Sequence, residues 1–220
     1  MKKHLLTIAS VAMIAGVISF SSCKKDDTTA PSITVTGGNS QTASLNSSWS
    51  NPSATAADDV DGDLSTSITV GGDVVNTNLA GIYDVTYTVS DAAGNTSTET
   101  VTVTVVNDAA FLAGVYSADD TCQQSWVSPY SMTWAASSTI NNQLSINNLS
   151  NFGTSVNITV NRVGNTLTFP APQTIGTLGS FNSGNGTFTN PSGNTVAGSF
   201  TWQWTDAASN TEVCTTTMSK

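Results

Sequence analysis

Several short segments alternate strictly between apolar and hydroxyl residues. Val101, Val103 and Val105 alternate with Thr100, Thr102 and Thr104, and Tyr83, Val85, Tyr87 and Val89 alternate with Asp84, Thr86, Thr88 and Ser90. A period of two places one row on each face of a pleated strand, whereas a helix would scatter the same residues around its circumference. Ile33 and Val35 repeat the pattern. Rows of this kind predict antiparallel sheets covered on one side, with hydroxyls facing water. Charged residues make up only 10% of the chain and no long helical periodicity interrupts the alternation. The expected fold class is therefore all-β.

The character of the strands changes at Asn107, Asp108, Ala109 and Ala110. Residues 31–107 carry Thr/Val strands punctuated by Gly and Asn, the pattern of a β-sandwich. Residues 109–220 carry aromatic strands joined by short Asn/Gly turns, with strands predicted at 111–117, 130–139, 143–148, 155–162, 166–170, 186–190, 195–204 and 211–219. Gly164–Asn165 and the 192–194 segment suit hairpin connections. Many strands joined by tight turns predict an antiparallel up-and-down barrel, since closure removes exposed edges. Tyr130, Met132 and Trp134, then Val156, Ile158 and Val160, then Phe200, Trp202 and Trp204 form the rows expected to face inward.

The N-terminus supplies an address. Lys2 and Lys3 precede an apolar run over residues 5–20, the layout of a secretory signal and too short for a comfortable membrane span. Ser21, Ser22 and Cys23 then resemble a bacterial lipobox, with Phe20 in place of the usual aliphatic residue. The resemblance implies a lipoprotein signal peptide over 1–22, lipidation of Cys23, and a tether over 23–30 whose partner is the membrane. Two or three acyl chains give lasting attachment where a single chain is marginal. Lys24, Lys25, Asp26 and Asp27 look like the export signal of Bacteroidetes lipoproteins, which implies a protein anchored in the outer membrane and facing the cell exterior. The other reading is a charged tether on a periplasm-facing lipoprotein.

Once Cys23 is lipidated, Cys122 and Cys214 remain as a pair, and an oxidising envelope favours their disulfide. The lone histidine, His4, leaves with the signal. That closes histidine-based acid–base and zinc chemistry to the mature chain. No GxSxG elbow or other nucleophile–base pair stands out, so the expectation is a protein that is not an enzyme. Lys24, Lys25, Arg162 and Lys220 are the remaining basic residues, against fifteen acids. Nucleic acid, which needs a basic stripe, is not an expected partner.

Three groups of residues carry a second resemblance: Asp58, Asp59, Val60, Asp61, Gly62, Asp63 and Leu64; Gly81, Ile82 and Tyr83 with the row that follows; and Asp91, Ala92, Ala93, Gly94 and Asn95. In this order and spacing the segment resembles the bacterial immunoglobulin-like domain named after the pesticidal crystal proteins. It departs from that pattern at Trp49, Ser50, Asn51, Pro52 and Ser53, where an acid and a glycine are missing. The resemblance implies a surface spacer or adhesion-like module. Asp58, Asp59, Asp61 and Asp63, with Asp91 as a further carboxylate, are the candidate ligands for Ca²⁺, which prefers hard oxygen donors around a tight turn. The same residues also fit a plain turn in which Asp side chains accept from nearby backbone N–H groups.

Gly114, Val115 and Tyr116, Cys122, the run Gly184, Asn185, Gly186 and Thr187, Cys214 and the terminal Lys220 look like the lipocalin-like, or calycin-like, barrels of Bacteroidetes lipoproteins. That similarity implies a cavity for a small apolar ligand. Trp126, Trp134, Trp202 and Trp204 are the candidate ligand-binding residues. Three readings fit them: an apolar pocket, a stacking platform for glycans, or a packed core, since about eight strands enclose just enough room for side chains. The expected function is a non-enzymatic surface lipoprotein whose immunoglobulin-like stalk presents a barrel that binds an apolar or glycan ligand. The alternative is a structural spacer or adhesion module without one.

Overall fold

The computed structural model describes residues 26–124, 126–153, 155–170, 172–189 and 196–220, the side chains of 126–128 excepted. The signal segment 1–22, Cys23 and the 192–194 turn lie outside the described residues. What is described is β-structure linked by turns and four single-turn 3₁₀ segments.

The first domain is a sandwich. One sheet contains β1 (Ser32–Val35), β3 (Ala54–Asp58) and β4 (Gly62–Asp63). The other runs in the order β2 (Ser40–Ser44), β7 (Thr96–Val106), β6 (Gly81–Ser90), β5 (Thr69–Gly72). β2 joins β7 in parallel and the remaining pairs are antiparallel. The alternation predicts the register: Val85, Tyr87, Val101, Val103 and Val105 are buried between the sheets with Val35, Ala43 and Leu45. Tyr87 is buried, and its hydroxyl donates to Pro52 O at 2.8 Å. The outward row is nearly all hydroxyl, with Thr102 opposite Asp84 and Thr100 opposite Thr86.

The second domain comprises β8 (Gly114–Cys122), β9 (Trp126–Ala136), β10 (Gln143–Asn147), β11 (Asn157–Val163), β12 (Thr166–Phe169), β13 (Gln173–Thr174), β14 (Gly179–Thr189), β15 (Ala197–Asp206) and β16 (Thr211–Ser219). All pairs are antiparallel neighbours in sequence, except where β12 pairs with β14 and where β16 returns to β8. Those two pairings close an eight-stranded barrel, with the short β13 attached along β14 outside the circuit. Gly164 takes a positive φ in the two-residue β11–β12 turn, as the sequence predicts. The predicted strands are all present, though β8 starts later than 111–117 suggests. Residues 110–112 instead form a 3₁₀ turn that buries Leu112.

The closing pair carries the disulfide. Cys122 and Cys214 face each other across β8 and β16 with a Cα–Cα distance of 4.1 Å, and their sulfurs are bonded. The bridge spans 92 residues of sequence, which in the chain-entropy model corresponds to roughly 4–5 kcal/mol.

The two domains meet through a polar joint. Asn107, 4% exposed, donates its amide to Ser137 O (3.0 Å), Ile140 O (3.1 Å) and Gln143 O (2.9 Å). Its Oδ1 accepts from the backbone of Ala109 and Asn142, both at 2.9 Å. Asn46 and Ala80 of the sandwich also bond the β9–β10 turn: Asn46 Nδ2 donates to Thr139 O, Asn141 N donates to Asn46 Oδ1, and Ala80 N donates to Ser138 O. Arg162 packs over Phe111 and donates to Asp108 O and to Asn142 Oδ1. The boundary at 107–109 is thus a fastened joint in which one asparagine serves both sides.

Two outcomes follow. Asn107→Ala leaves five polar groups to find other partners and is expected to cost about 2–4 kcal/mol in chemical denaturation. Calorimetry should then resolve separate sandwich and barrel transitions. Replacing both Cys122 and Cys214 by Ala is expected to lower the barrel transition by up to about 4 kcal/mol while leaving the sandwich transition in place.

Candidate functional site

The barrel interior is the first place to look for a ligand. It is occupied by rings in continuous contact. Tyr116 meets Trp134 (centroids 5.6 Å), Trp134 meets Phe200 (6.2 Å), Phe200 meets Phe169 (4.9 Å), and Phe169 meets Phe181 (5.3 Å). Phe181 stacks on Trp202 at 5.5 Å, Trp202 meets Phe152 at 6.0 Å, and Phe152 meets Trp204 at 5.1 Å. Gly184 makes this possible on β14: a Cβ there would lie 2.8 Å from Phe169 Cδ2 and 3.0 Å from Phe181 Cζ. Gly186 does the same beside Phe200, where a Cβ would lie 2.3 Å from that residue's own Cβ.

Trp134 and Trp202 are each 1% exposed and serve as core in this arrangement. Trp204 is half-buried at the end of the ring column. Trp126 begins β9 opposite Thr121, and its side chain lies outside the described residues. The structure does not bring Trp134, Trp202 and Trp204 around a common cavity. Instead a hollow of about 320 Å³ lies on the outer wall by Ser183, Asn185, Thr201 and Gln203. The packing reading of the aromatic rows replaces the pocket reading for Trp134 and Trp202, because neighbouring rings fill the space a ligand would need.

One polar chain crosses the interior. Trp202 Nε1 donates to Thr216 Oγ1 (2.9 Å), Thr216 donates to Asp120 Oδ1 (2.6 Å), and the Tyr130 hydroxyl donates to the same oxygen (2.9 Å). Burial, with the Asp120 charge adding to it, raises the Tyr130 phenol above its ordinary range. Burial also pushes Tyr116 up to about 12. Among the described residues no nucleophile–base pair is formed.

The second candidate is acidic. One carboxylate oxygen from each of Asp27, Asp58, Asp61 and Asp91 lies within 4.8 Å of the others. The expected set of Asp58, Asp59, Asp61 and Asp63 is therefore redrawn. Asp59 is exposed on the turn, and Asp63 faces away, accepting from Ser65 N at 2.9 Å and from Ser65 Oγ. Those bonds hold the Asp63 carboxyl below its ordinary value. Asp91 was legible as an additional carboxylate. Asp27 was not, because it lies 31 residues before Asp58 in a stretch that reads as linker.

The plain-turn reading describes half of the Asp58 side chain. Its Oδ1 accepts from Val60 N and Asp61 N, both at 2.9 Å, and Gly62 supplies φ 75°. Its Oδ2 is enclosed and accepts nothing, and the same is true of Asp27 Oδ2. Asp61 Oδ2 accepts from Ala92 N at 2.8 Å, joining the two loops. Burial pushes the Asp91 carboxyl up, but bonds from the Asn95 side chain and from the backbone of Asn95, Gly94 and Ala93 together hold it below the ordinary value. Asn95 Nδ2 further donates to Asp27 O and Thr29 O, tying the tether to the β6–β7 turn.

Four carboxylates this close repel by roughly 1 kcal/mol per pair in water and about 3–4 kcal/mol at an effective dielectric of 20. The described residues contain only two basic side chains, Arg162 and Lys220. Both are engaged in the barrel domain, Arg162 at the joint and Lys220 donating to Phe111 O and Ala113 O.

Comparison with known proteins gives the stalk its class. Residues 33–105 match the Ig-like domain of bacterial surface proteins. The first domain is an Ig-like domain of that kind, and the second is a closed antiparallel barrel. Over 58 residues the chain is 40% identical to the pesticidal crystal protein Cry22Aa of Bacillus thuringiensis. That alignment covers 26% of this chain and 8% of the relative's length. Among solved structures, the lipoprotein BT2262 from Bacteroides thetaiotaomicron aligns over 85% of this chain and 99% of its own, at 18% identity and a TM-score of 0.36. A Clostridium perfringens ZmpB structure containing CBM51-2 in complex with GlcNAc and INT domains aligns over 79% and 29%, at 16% identity and a TM-score of 0.28. Superpositions this loose do not define a common fold.

The phenols give a pH test. Neutral Tyr116 and Tyr130 are favoured in the fold, so their contribution is fully present below pH 10 and is lost as pH rises through their raised folded values. Ultraviolet titration should show both staying protonated until the barrel opens. Tyr116→Phe combined with Tyr130→Phe should remove much of the alkaline loss of stability.

Proposed function

We propose that this chain is a non-catalytic surface lipoprotein, lipidated at Cys23, whose Ig-like stalk carries a solid barrel head outward from the outer membrane. It acts as a spacer or adhesion module through its outer walls. The observation that carries this reading is the unbroken column of rings from Tyr116 to Trp204. A barrel filled in this way offers a rigid surface and little interior, and rigidity suits display. The fastened joint at Asn107 supports the same reading, because a head held by oriented hydrogen bonds keeps one direction relative to its stalk.

The test uses intrinsic fluorescence, since Trp134 and Trp202 would report any ligand that entered the barrel. Long-chain fatty acids and retinoids are expected to leave the emission unchanged, and affinity gels loaded with polysaccharide are expected not to retard migration. Saturable quenching by a fatty acid would replace the solid-head reading with a binding barrel. On intact cells, added protease is expected to release the barrel domain. Its protection until the outer membrane is opened would reverse the exterior orientation.

A further inference from the structure

We infer that the free edge of β5 in the Ig-like domain is a docking site for an extended segment of a partner protein that carries lysine or arginine and joins the sheet as a further strand. β5 ends its sheet. Alternate residues of an antiparallel strand bond to opposite neighbours. Asp91 N donates to Asn95 O, so the odd residues of β6 bond to β7 and the even ones turn to β5. Asp73 N accordingly donates to Asp84 O at 2.8 Å, and Thr69 and Gly71 face β6 in the same way. Val70 and Gly72 then point their N–H and C=O groups away from the sheet, and none of the four has a partner among the described residues. Such a row is a template for another strand.

The apolar inner face is unfinished at the same place. Val70 stands opposite Tyr87 in the register, so the two side chains share one face of the sheet. Tyr87 is 1% exposed, whereas Val70 is 52% exposed. The layer that covers Tyr87 leaves Val70 open. Beside it lies a hollow of about 330 Å³ between β5 and the Trp49–Asn51 segment, walled by Trp49, Val70, Asp73 and Val75. Val74, 90% exposed, extends the apolar rim. An added strand bonds the outward groups of Val70 and Gly72 and lays alternate side chains into the hollow, which covers Val70 as Tyr87 is already covered.

Charge selects the occupant. Residues 26–107 carry ten acidic side chains and no lysine or arginine, and Asp73 stands on the wall of the hollow. A second copy pairing β5 against β5 brings two domains of the same sign together, and like charges set against each other suppress that pairing. A segment with lysine or arginine is drawn in by the same field and meets Asp73 on arrival. The edge itself, Thr69, Val70, Gly71 and Gly72, has none of the lysine or proline residues that blunt exposed strands against added chains. The site gives adhesion a definite surface, and it depends on neither the lipidation nor the filled barrel.

The test is amide hydrogen exchange on the full chain in detergent micelles, titrated with a capped peptide of alternating valine and lysine and with its valine–glutamate counterpart. The lysine peptide is expected to slow exchange at Val70 and Gly72, to leave Gly71 and Asp73 unchanged because β6 already holds them, and to bind about tenfold or more tightly than the glutamate peptide. Raising the salt from about 0.05 to 0.5 M should weaken it. Val70→Pro removes one outward N–H without touching the bonds to β6, and Val70→Lys sets a like charge on the edge. Both are expected to abolish binding while the sandwich keeps its thermal transition, and Val163→Lys on the barrel is expected to leave binding unchanged. No protection at Val70 and Gly72 at about 1 mM lysine peptide overturns the site. Equal binding of the two peptides, or a dimer that Val70→Lys dissociates, overturns the basic occupant. Failure of the ligand-exclusion or protease tests above would leave these readouts unaffected.

Discussion

The barrel depends on the filling of its interior. Eight strands enclose an interior just wide enough for side chains to fill or for one small ligand to occupy. Here that volume is taken by eight rings in one chain of contacts, with Met132, Ile158, Val160 and Leu167 between them. Dispersion and burial along this column supply the barrel's packed core. They also fix the close approaches at Gly184 and Gly186. The pairing of β8 with β16 and the Cys122–Cys214 bridge secure the seam.

Polar contacts do a different job. Asn107 and the β9–β10 turn join two hydrophobic cores that do not merge, and they do so with bonds that have direction as well as strength. An apolar contact of the same size would tolerate sliding. A set of short hydrogen bonds to named carbonyls tolerates little. The buried chain Trp202–Thr216–Asp120–Tyr130 plays a comparable part inside the barrel, because it orients an indole and a phenol that packing alone would leave free to tilt.

The two domains divide the properties of the chain. The Ig-like domain, with its row of outward threonines, has a thin core of valines, and four of its carboxylates, those of Asp27, Asp58, Asp61 and Asp91, lie close together. The barrel has the aromatic mass, the disulfide and both of the basic side chains described. Among the described residues neither domain brings a nucleophile to a base.

Local sequence determined the strands and their faces. A period of two in Val/Thr and in aromatic rows can be satisfied only by pleated strands, so Val85, Val103, Trp134 and Phe200 were legible as inward residues, and Gly164–Asn165 as a hairpin turn. Cysteine arithmetic was enough to pair Cys122 with Cys214. Only the tertiary structure decided the rest, because each remaining feature joins residues far apart in the chain. The rings of Trp134 and Trp202 became core once β12 met β14 and closed the barrel around them. Asp27 joined Asp58, Asp61 and Asp91 once the tether lay across the β6–β7 turn, while Asp59 stayed exposed on the turn and Asp63 accepted from Ser65 instead. Asn107 reads as a boundary in sequence, and it is a joint because the β9–β10 turn, thirty residues on, brings three carbonyls to its amide.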